Sequence, residues 1–183
     1  MLRITSGKYR GRRIFSDKLL SARPAMSIIR ESIFNIILSR MSIQGCKILD
    51  LFCGSGSLSF EALSRGAESV LLVDINHYNL SLVKRTSEYL GVVNNVTLMC
   101  CDVEKLPLAT DQYDIVFVDP PYTNPNLVDM TLNVLIKLNW VKSSSIVVVR
   151  IRKKVVFVCP IGYRIMVERT YGISKVIMLQ REF

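Results

Sequence analysis

Four consecutive residues that suit the binding of an amine follow an apolar run at 113–118: Asp119, Pro120, Pro121 and Tyr122. The carboxylate and the first proline's carbonyl oxygen can each accept an N–H bond. The two prolines lack N–H donors and fix the backbone, and the tyrosine ring can stack on a base. Holding both N–H groups of an aryl amine would aim its lone pair at an incoming group. The set therefore predicts group transfer to the exocyclic nitrogen of a nucleobase.

A glycine-rich loop ends an earlier apolar run and supplies four candidate cofactor-binding residues: Asp50, Phe52, Gly54 and Gly56. Glycines let the backbone approach a ligand closely. Ser59 stands where a dinucleotide fingerprint has its third glycine, which disfavours an NAD oxidoreductase. The carboxylate before the loop would repel a pyrophosphate but attract the cationic groups of S-adenosylmethionine (SAM). The loop therefore favours SAM.

Two further acids stand where predicted strands end, namely Asp74 and Asp102. Asp74 can accept the ribose hydroxyls of SAM, as an acid about 20 residues beyond the glycine loop does in dinucleotide-binding folds. Asp102 can accept the adenine amino group. The structural alternative for both acids is helix capping or turn formation.

The elements that must position these residues alternate between strand and helix. Apolar runs predict strands at 46–51, 69–74, 95–102, 113–118 and 145–150, and helical spacing predicts helices at 26–41, 57–65, 76–90 and 125–139. Strand-like pieces follow near 154–159, 163–169 and 173–181. This order predicts an α/β fold with a doubly wound, mostly parallel sheet and an antiparallel edge. Ligands should bind above the sheet, between the tips of the first and fourth strands.

Length and charge predict a single domain with a basic N-terminus. The chain has 183 residues and a formal net charge of +9. Residues 1–30 carry eight basic residues and one acid. We predict an RNA-binding hairpin or arm at 1–25 and a catalytic core at 26–183, with a solvated, solubilising arm as the alternative. Candidate RNA contacts are Lys8, Arg10, Arg12, Arg13 and Arg23.

Cysteine usage and hydropathy bear on the compartment. The five cysteines form no C-x-x-C pair, and His77 is the only histidine, so no metal site is expected. Cys53 lies in the glycine loop and is interpreted as a packing residue rather than a nucleophile. No apolar run reaches the roughly 18 residues of a membrane span, and no apolar signal core opens the chain. These patterns predict a cytoplasmic protein with reduced thiols.

Together these motifs resemble one family. The glycine motif at 50–56, the acids at 74 and 102 and the Asp-Pro-Pro-Tyr motif are similar to those of class I SAM-dependent methyltransferases. The segments 3–12, 23–24 and 30–35, with Tyr171-Gly172, resemble the RsmD family of 16S ribosomal RNA guanine-N2 methyltransferases. The resemblance implies a seven-stranded sheet, SAM as methyl donor, a guanine in small-subunit rRNA as acceptor and a monomeric protein. It also implies that the basic hairpin grips RNA.

Three positions depart from the family pattern. Ala25 and Ser27 stand where a threonine and an aspartate are expected, and Arg150 replaces an acid at the end of the fifth strand. The alternatives are an adenine-N6 or protein-glutamine methyltransferase, and a non-enzymatic RNA-binding module with a SAM-like fold. One carboxylate can accept the adjacent N1–H and N2–H donors of guanine, whereas adenine offers a donor beside an acceptor, so Asp119 favours guanine.

Overall fold

The computed structural model describes residues 2–17, 24–121, 124 and 126–182. In this part of the chain, helices and strands alternate in the order α1 (Pro24–Leu38), β1 (Lys47–Leu51), α2 (Ser57–Ser64), β2 (Ser69–Asp74), α3 (His77–Leu90), β3 (Val96–Cys100), β4 (Tyr113–Val118), α4 (Leu127–Lys137), β5 (Val141–Arg152), β6 (Tyr163–Tyr171) and β7 (Ser174–Arg181). Short 3-10 turns lie at Val93–Asn95 and Val103–Lys105. None of the described helices is long and apolar enough to cross a membrane.

The strands form one sheet in the order β3-β2-β1-β4-β5-β7-β6. Strands β1 to β5 pair in parallel, and β7 runs antiparallel to both β5 and β6. The predicted doubly wound, mostly parallel sheet with an antiparallel edge is therefore confirmed. β1 lies between β2 and β4, so the chain reverses its direction of travel across the sheet at β1. Ligands bind at such a switch point because the loops on either side diverge there.

Helices cover both faces of the sheet. On one face, α1, α2 and α3 bury side chains that include Phe34, Phe60 and Val83. On the other face, α4 and the segment after it bury Leu132 and Trp140. The central strands are buried on both faces, which explains why they read as continuous apolar runs instead of alternating patterns.

Two sequence predictions differ from the observed strands. The piece predicted near 154–159 is not a strand, and residues 153–160 form a turn and an irregular connection. β7 already pairs with β5 on one side and β6 on the other, so this apolar segment finds no sheet edge there. β5 begins at Val141, four residues before the prediction, because the bulge opposite β4 admits the polar run at 142–145.

The predicted N-terminal hairpin is present. The Ile4 amide donates to the Arg12 carbonyl at 3.1 Å, and the Ile14 amide donates to the Leu2 carbonyl at 3.0 Å. Ile4 and Ile14 are almost fully buried in the core on the α1–α3 face. The hairpin is therefore packed on the helices, with its charged side chains turned outward.

A buried carboxylate, Glu61 of α2, anchors the hairpin. Its oxygens accept bonds from the Thr5 amide at 2.9 Å, the Thr5 hydroxyl at 2.8 Å and the Ser6 amide at 3.0 Å. Arg65 lies 3.0 Å away, and Arg30 of α1 lies 3.2 Å away in an ion pair without hydrogen-bond geometry. Loss of one member of a buried charge cluster is costly, so Glu61 holds the hairpin, α1 and α2 as one unit.

Candidate active site

A cleft of about 650 Å³ opens at the carboxyl ends of β1, β2 and β4. Its walls include the predicted site residues Phe52, Gly54, Asp74, Asp102, Asp119, Pro120 and Pro121. Ligand sites in proteins span roughly 300–1,000 Å³, so the cleft is large enough for a nucleoside-sized molecule. The glycine loop and the Pro-Pro loop therefore line one cavity, as neighbours on the adjacent strands β1 and β4.

The glycine loop leaves β1 through three residues with positive φ: Phe52 at 62°, Gly54 at 54° and Gly56 at 69°. A left-handed phenylalanine costs roughly 1–3 kcal/mol, and such strain is typical of functional sites. Gly54 has open space where a Cβ would stand and faces the cleft. A Cβ on Gly56 would lie 2.8 Å from the Leu72 Cδ2, so this glycine serves packing beneath the loop.

Asp74 ties the loop to the end of β2. Its Oδ2 accepts from the Gly54 amide at 2.8 Å and from the Asn79 side chain at 3.1 Å, while its Oδ1 accepts from the Asn76 amide at 2.8 Å. The carboxylate lies in the cleft wall, where its remaining lone pairs can accept hydroxyl groups. Asn76 and Asn79 also line the cleft, and no motif in the sequence singled them out.

Asp50 lies beneath the loop, and the described cleft wall does not include it. Its Oδ2 accepts a hydrogen bond from the Ser59 hydroxyl at 2.7 Å. Ser59, which stands where a dinucleotide fingerprint has its third glycine, therefore binds the carboxylate of Asp50. Burial, together with the charges of Asp119 and Asp74, raises the pKa of Asp50 to about 7, and the hydrogen bond from Ser59 opposes that increase. A cation bound nearby would favour the ionised form.

Asp119 follows β4 and is bound by Arg150 near the end of the neighbouring strand β5. The Arg150 Nε donates to Oδ1 at 2.7 Å, and its Nη2 lies 2.6 Å from Oδ2, so the two groups form a two-pronged ion pair. Burial raises the pKa of Asp119, and Arg150 opposes that increase. The departure from the family pattern at position 150 therefore contacts the predicted catalytic acid directly.

The remaining predicted residues are Pro120, Pro121, Tyr122 and Asp102. Pro120 and Pro121 line the cleft, whereas Tyr122 lies outside the described residues. Asp102 lines the cleft at the end of β3, and its Oδ1 also accepts from the Glu104 amide at 3.1 Å. Both interpretations offered for Asp102 are thus compatible with its position, because one oxygen caps the turn and the other is available to a ligand.

Comparison with known proteins identifies the family. A family model described as Conserved hypothetical protein 95 matches residues 2–180. The chain belongs to this family. Ribosomal RNA small subunit methyltransferase D of Haemophilus influenzae is 32% identical over 179 residues, which cover 94% of this chain and 90% of that protein. The resemblance to the RsmD family that the motifs predicted is confirmed.

Solved structures agree with this assignment. The Escherichia coli protein yhhF matches with a TM-score of 0.85 and 26% identity over 99% of this chain and 98% of that chain. Magnesium protoporphyrin IX methyltransferase from Synechocystis, solved with bound SAM, matches with a TM-score of 0.70 and 18% identity over 93% of this chain and 89% of that chain. The fold is that of the class I methyltransferases.

Four of the five basic residues predicted to bind RNA lie on the hairpin of this RsmD-family chain. Lys8, Arg10, Arg12 and Arg13 are all exposed, and the described cleft wall includes none of them. Arg23 lies outside the described residues. The hairpin contacts the second half of α2, which runs away from the cleft. These four side chains therefore lie outside the described cleft wall.

A cluster of arginines and aromatic rings extends the hairpin surface onto α3. The Arg12 guanidinium lies 4.8 Å from the centre of the Tyr89 ring, and the guanidinium groups of Arg13 and Arg85 lie 4.7 and 4.1 Å from that of Phe15. Sequence analysis missed Arg85 and Tyr89. Their spacing of four on a predicted helix places them on one face, which is the signal that could have found them.

The thiol in the glycine loop is a packing group. Cys53 is buried, and burial raises the pKa of its thiol far above neutral, so a thiolate nucleophile is disfavoured. Within the described residues, no group of three or more histidine, cysteine or acidic side chains could hold a metal ion.

Proposed function

We propose that this protein is a SAM-dependent methyltransferase that methylates the exocyclic N2 of a guanine in 16S rRNA. The observation that carries the proposal is the single cleft shared by the glycine loop, Asp74 and the Asp119-Pro-Pro segment. Membership of the RsmD family and the name of the Haemophilus relative support both the methyl transfer and the rRNA substrate. We further propose that the protein acts as a monomer in the cytoplasm.

The cofactor half of the cleft fits SAM. We assign the ribose hydroxyls to Asp74, the adenine amino group to Asp102 and the close backbone approach to Gly54. Asp50 adds negative charge below the loop, which suits a ligand that carries a sulfonium and an ammonium but no phosphate. The SAM-bound neighbour of the same fold supports this choice. When bound, SAM supplies an electrophilic methyl group.

The acceptor half of the cleft fits an aromatic amine. Asp119 accepts one N–H of the target amine, and the Pro120 carbonyl is assigned the other. The nitrogen lone pair is then localised toward the cofactor half, and catalysis comes mainly from positioning and electrostatics. Tyr122 is proposed to stack on the base. A target inside a helix must be swung out of its stack before it can reach the cleft.

The test is methylation with purified components. The protein is incubated with methyl-labelled SAM and either 16S rRNA or 30S particles from cells that lack this protein, and the product nucleosides are separated. We expect label in N2-methylguanosine. Label in N6-methyladenosine would move the acceptor to adenine. Absence of label from both RNAs, despite measurable SAM binding, would favour a non-enzymatic RNA-binding module and overturn the proposal.

A further inference from the structure

Arg150 occupies the two oxygens of Asp119 that the proposed reaction needs. Both oxygens of Asp119 are engaged, at 2.7 Å by Nε and at 2.6 Å by Nη2. The two groups are held in register because β4 and β5 pair in parallel up to Val118 and Val149, the residues just before them. Arg150 also lines the main cleft together with Asp119 and Pro121. The ion pair is therefore part of the cleft wall.

The chemistry of this contact matches that of the proposed substrate. In an arginine, two nitrogens bonded to the same carbon present N–H donors in one plane, and together they bind both oxygens of a carboxylate. Guanine presents N1–H and N2–H on either side of C2, which is the same donor pattern. Adenine and cytosine each place a donor beside an acceptor and cannot replace an arginine in this way.

We propose that Arg150 is a positioning residue for Asp119: its guanidinium holds the carboxylate in the orientation that receives guanine, and the N1–H and N2–H of the target base exchange with it on binding. The inference rests on the proposed function. It assigns to position 150 a role that an acid at that position could not have. It also identifies the Asp119–Arg150 pair as a guanine-selective element, because only a base with two adjacent donors restores both bonds.

The exchange requires an ionised Asp119, and Arg150 favours that form. Burial raises the pKa of Asp119, whereas the charge and hydrogen bonds of Arg150 lower it. The charge of Asp119 in turn raises the pKa of Asp50 on β1. Arg30 of α1 lines the same small cavity as Asp119 and Arg150. Removal of Arg150 therefore raises the pKa of Asp119, so more of the carboxylate is protonated at a given pH and cannot accept two donors.

The pH profile of kcat/KM for rRNA methylation tests the inference. We expect the acid limb of the Arg150→Gln variant to lie about one pH unit or more above that of the wild type. At a given pH on that limb, the activity of the variant should be lower than that of the wild type by about tenfold for each pH unit of displacement. At higher pH the activity of the variant should recover to within about threefold of the wild type. Arg150→Lys keeps the charge without the fork and should give an intermediate limb.

A matched control is available on the same two strands. Lys142 of β5 forms an ion pair with Asp114 of β4 at 2.5 Å, near the opposite edge of the sheet from the cleft. Lys142→Gln removes the same charge and should leave the profile unchanged. A loss in Arg150→Gln that is equal at every pH would indicate a structural or RNA-contact role and overturn the inference, and so would an unaltered profile.

A direct measurement separates this inference from the proposed function. Carbon-13 NMR of the Asp119 carboxyl group, assigned with Asp119→Asn, reports its titration without any need for turnover. We expect a higher midpoint in Arg150→Gln than in the wild type, with thermal unfolding checked to confirm that the variant is folded. An unchanged midpoint would refute the coupling even in an active enzyme. An inactive wild type would refute the proposed function alone.

Discussion

Asp119 acts in the proposed mechanism through acceptor oxygens and through its place in the cleft wall. Replacement by Ala should lower kcat by about 100-fold or more, the range seen when one transition-state hydrogen bond is removed. SAM affinity should stay within about threefold of the wild type, because the assigned cofactor contacts come from β1, β2 and β3. Steady-state methylation and calorimetry of SAM binding measure the two effects. An Ala variant that retains most of its turnover contradicts the mechanism.

We expect Asp50 to make SAM binding depend on pH. Its pKa is raised to about 7, so the free carboxyl is largely protonated at pH 6, whereas a cationic ligand selects the ionised form. SAM affinity should therefore fall about five- to tenfold from pH 7.5 to pH 6, with protons released on binding. Calorimetry in buffers of different ionisation enthalpy measures both quantities. Asp50→Asn should bind more weakly with a flatter profile, and a wild-type affinity that does not change with pH contradicts this role.

The sequence predicted the role of a residue when that role depends only on the strand that carries the residue. It did not predict a role that depends on which strands are neighbours in the sheet. Asp74 and Asp119 end apolar runs, so their place at the sheet edge follows from local pattern. Arg150 was noted only as a departure, because its contact with Asp119 exists only if β5 lies beside β4. Asp50 was predicted to act on the ligand, but the depth of its burial depends on packing around Ser59.

At the scale of elements, a comparison of two glycines with nearly equal φ angles distinguishes the cost of steric overlap from the cost of a left-handed backbone. Gly56 before α2 and Gly91 after α3 have φ of 69° and 70°, and a Cβ would meet Leu72 at 2.8 Å only at the first. Gly91→Ala should cost about 1 kcal/mol of unfolding free energy from the left-handed backbone. Gly56→Ala should cost about 1–3 kcal/mol more from overpacking. Urea unfolding of both variants measures the difference, and equal costs would contradict the packing role.

The order of elements was largely predictable, because buried parallel strands and amphipathic helices leave distinct periods in the sequence. The failure near 154–159 has a physical cause. Val155, Phe157 and Cys159 are partly buried against the core while Val156 and Val158 are exposed, which imitates the alternation of a strand. Alternation records which side chains are covered, and it does not record whether a backbone partner is present.

At the scale of the whole molecule, charge is concentrated on the hairpin. Replacing Arg10, Arg12 and Arg13 together by Gln should weaken rRNA binding and lower the slope of log K against log salt by about two. A control that replaces Lys47, Lys137 and Lys142 removes the same charge at sites away from the hairpin and should change the slope little. Filter binding at several salt concentrations measures both. An unchanged slope in the hairpin variant would contradict RNA binding by the hairpin and would favour a solubilising role for its charges.

The Glu61 cluster connects the proposed RNA-binding hairpin to the proposed catalytic site. Glu61 binds the hairpin through Thr5 and pairs with Arg30, which lines the small cavity beside Asp119. If the hairpin binds RNA as proposed, that RNA is held at a constant distance from the carboxylate proposed to receive the base. The modified nucleotide would then be selected by its distance from the folded RNA segment that the hairpin binds. Immature rRNA of correct sequence but incomplete architecture would then be passed over.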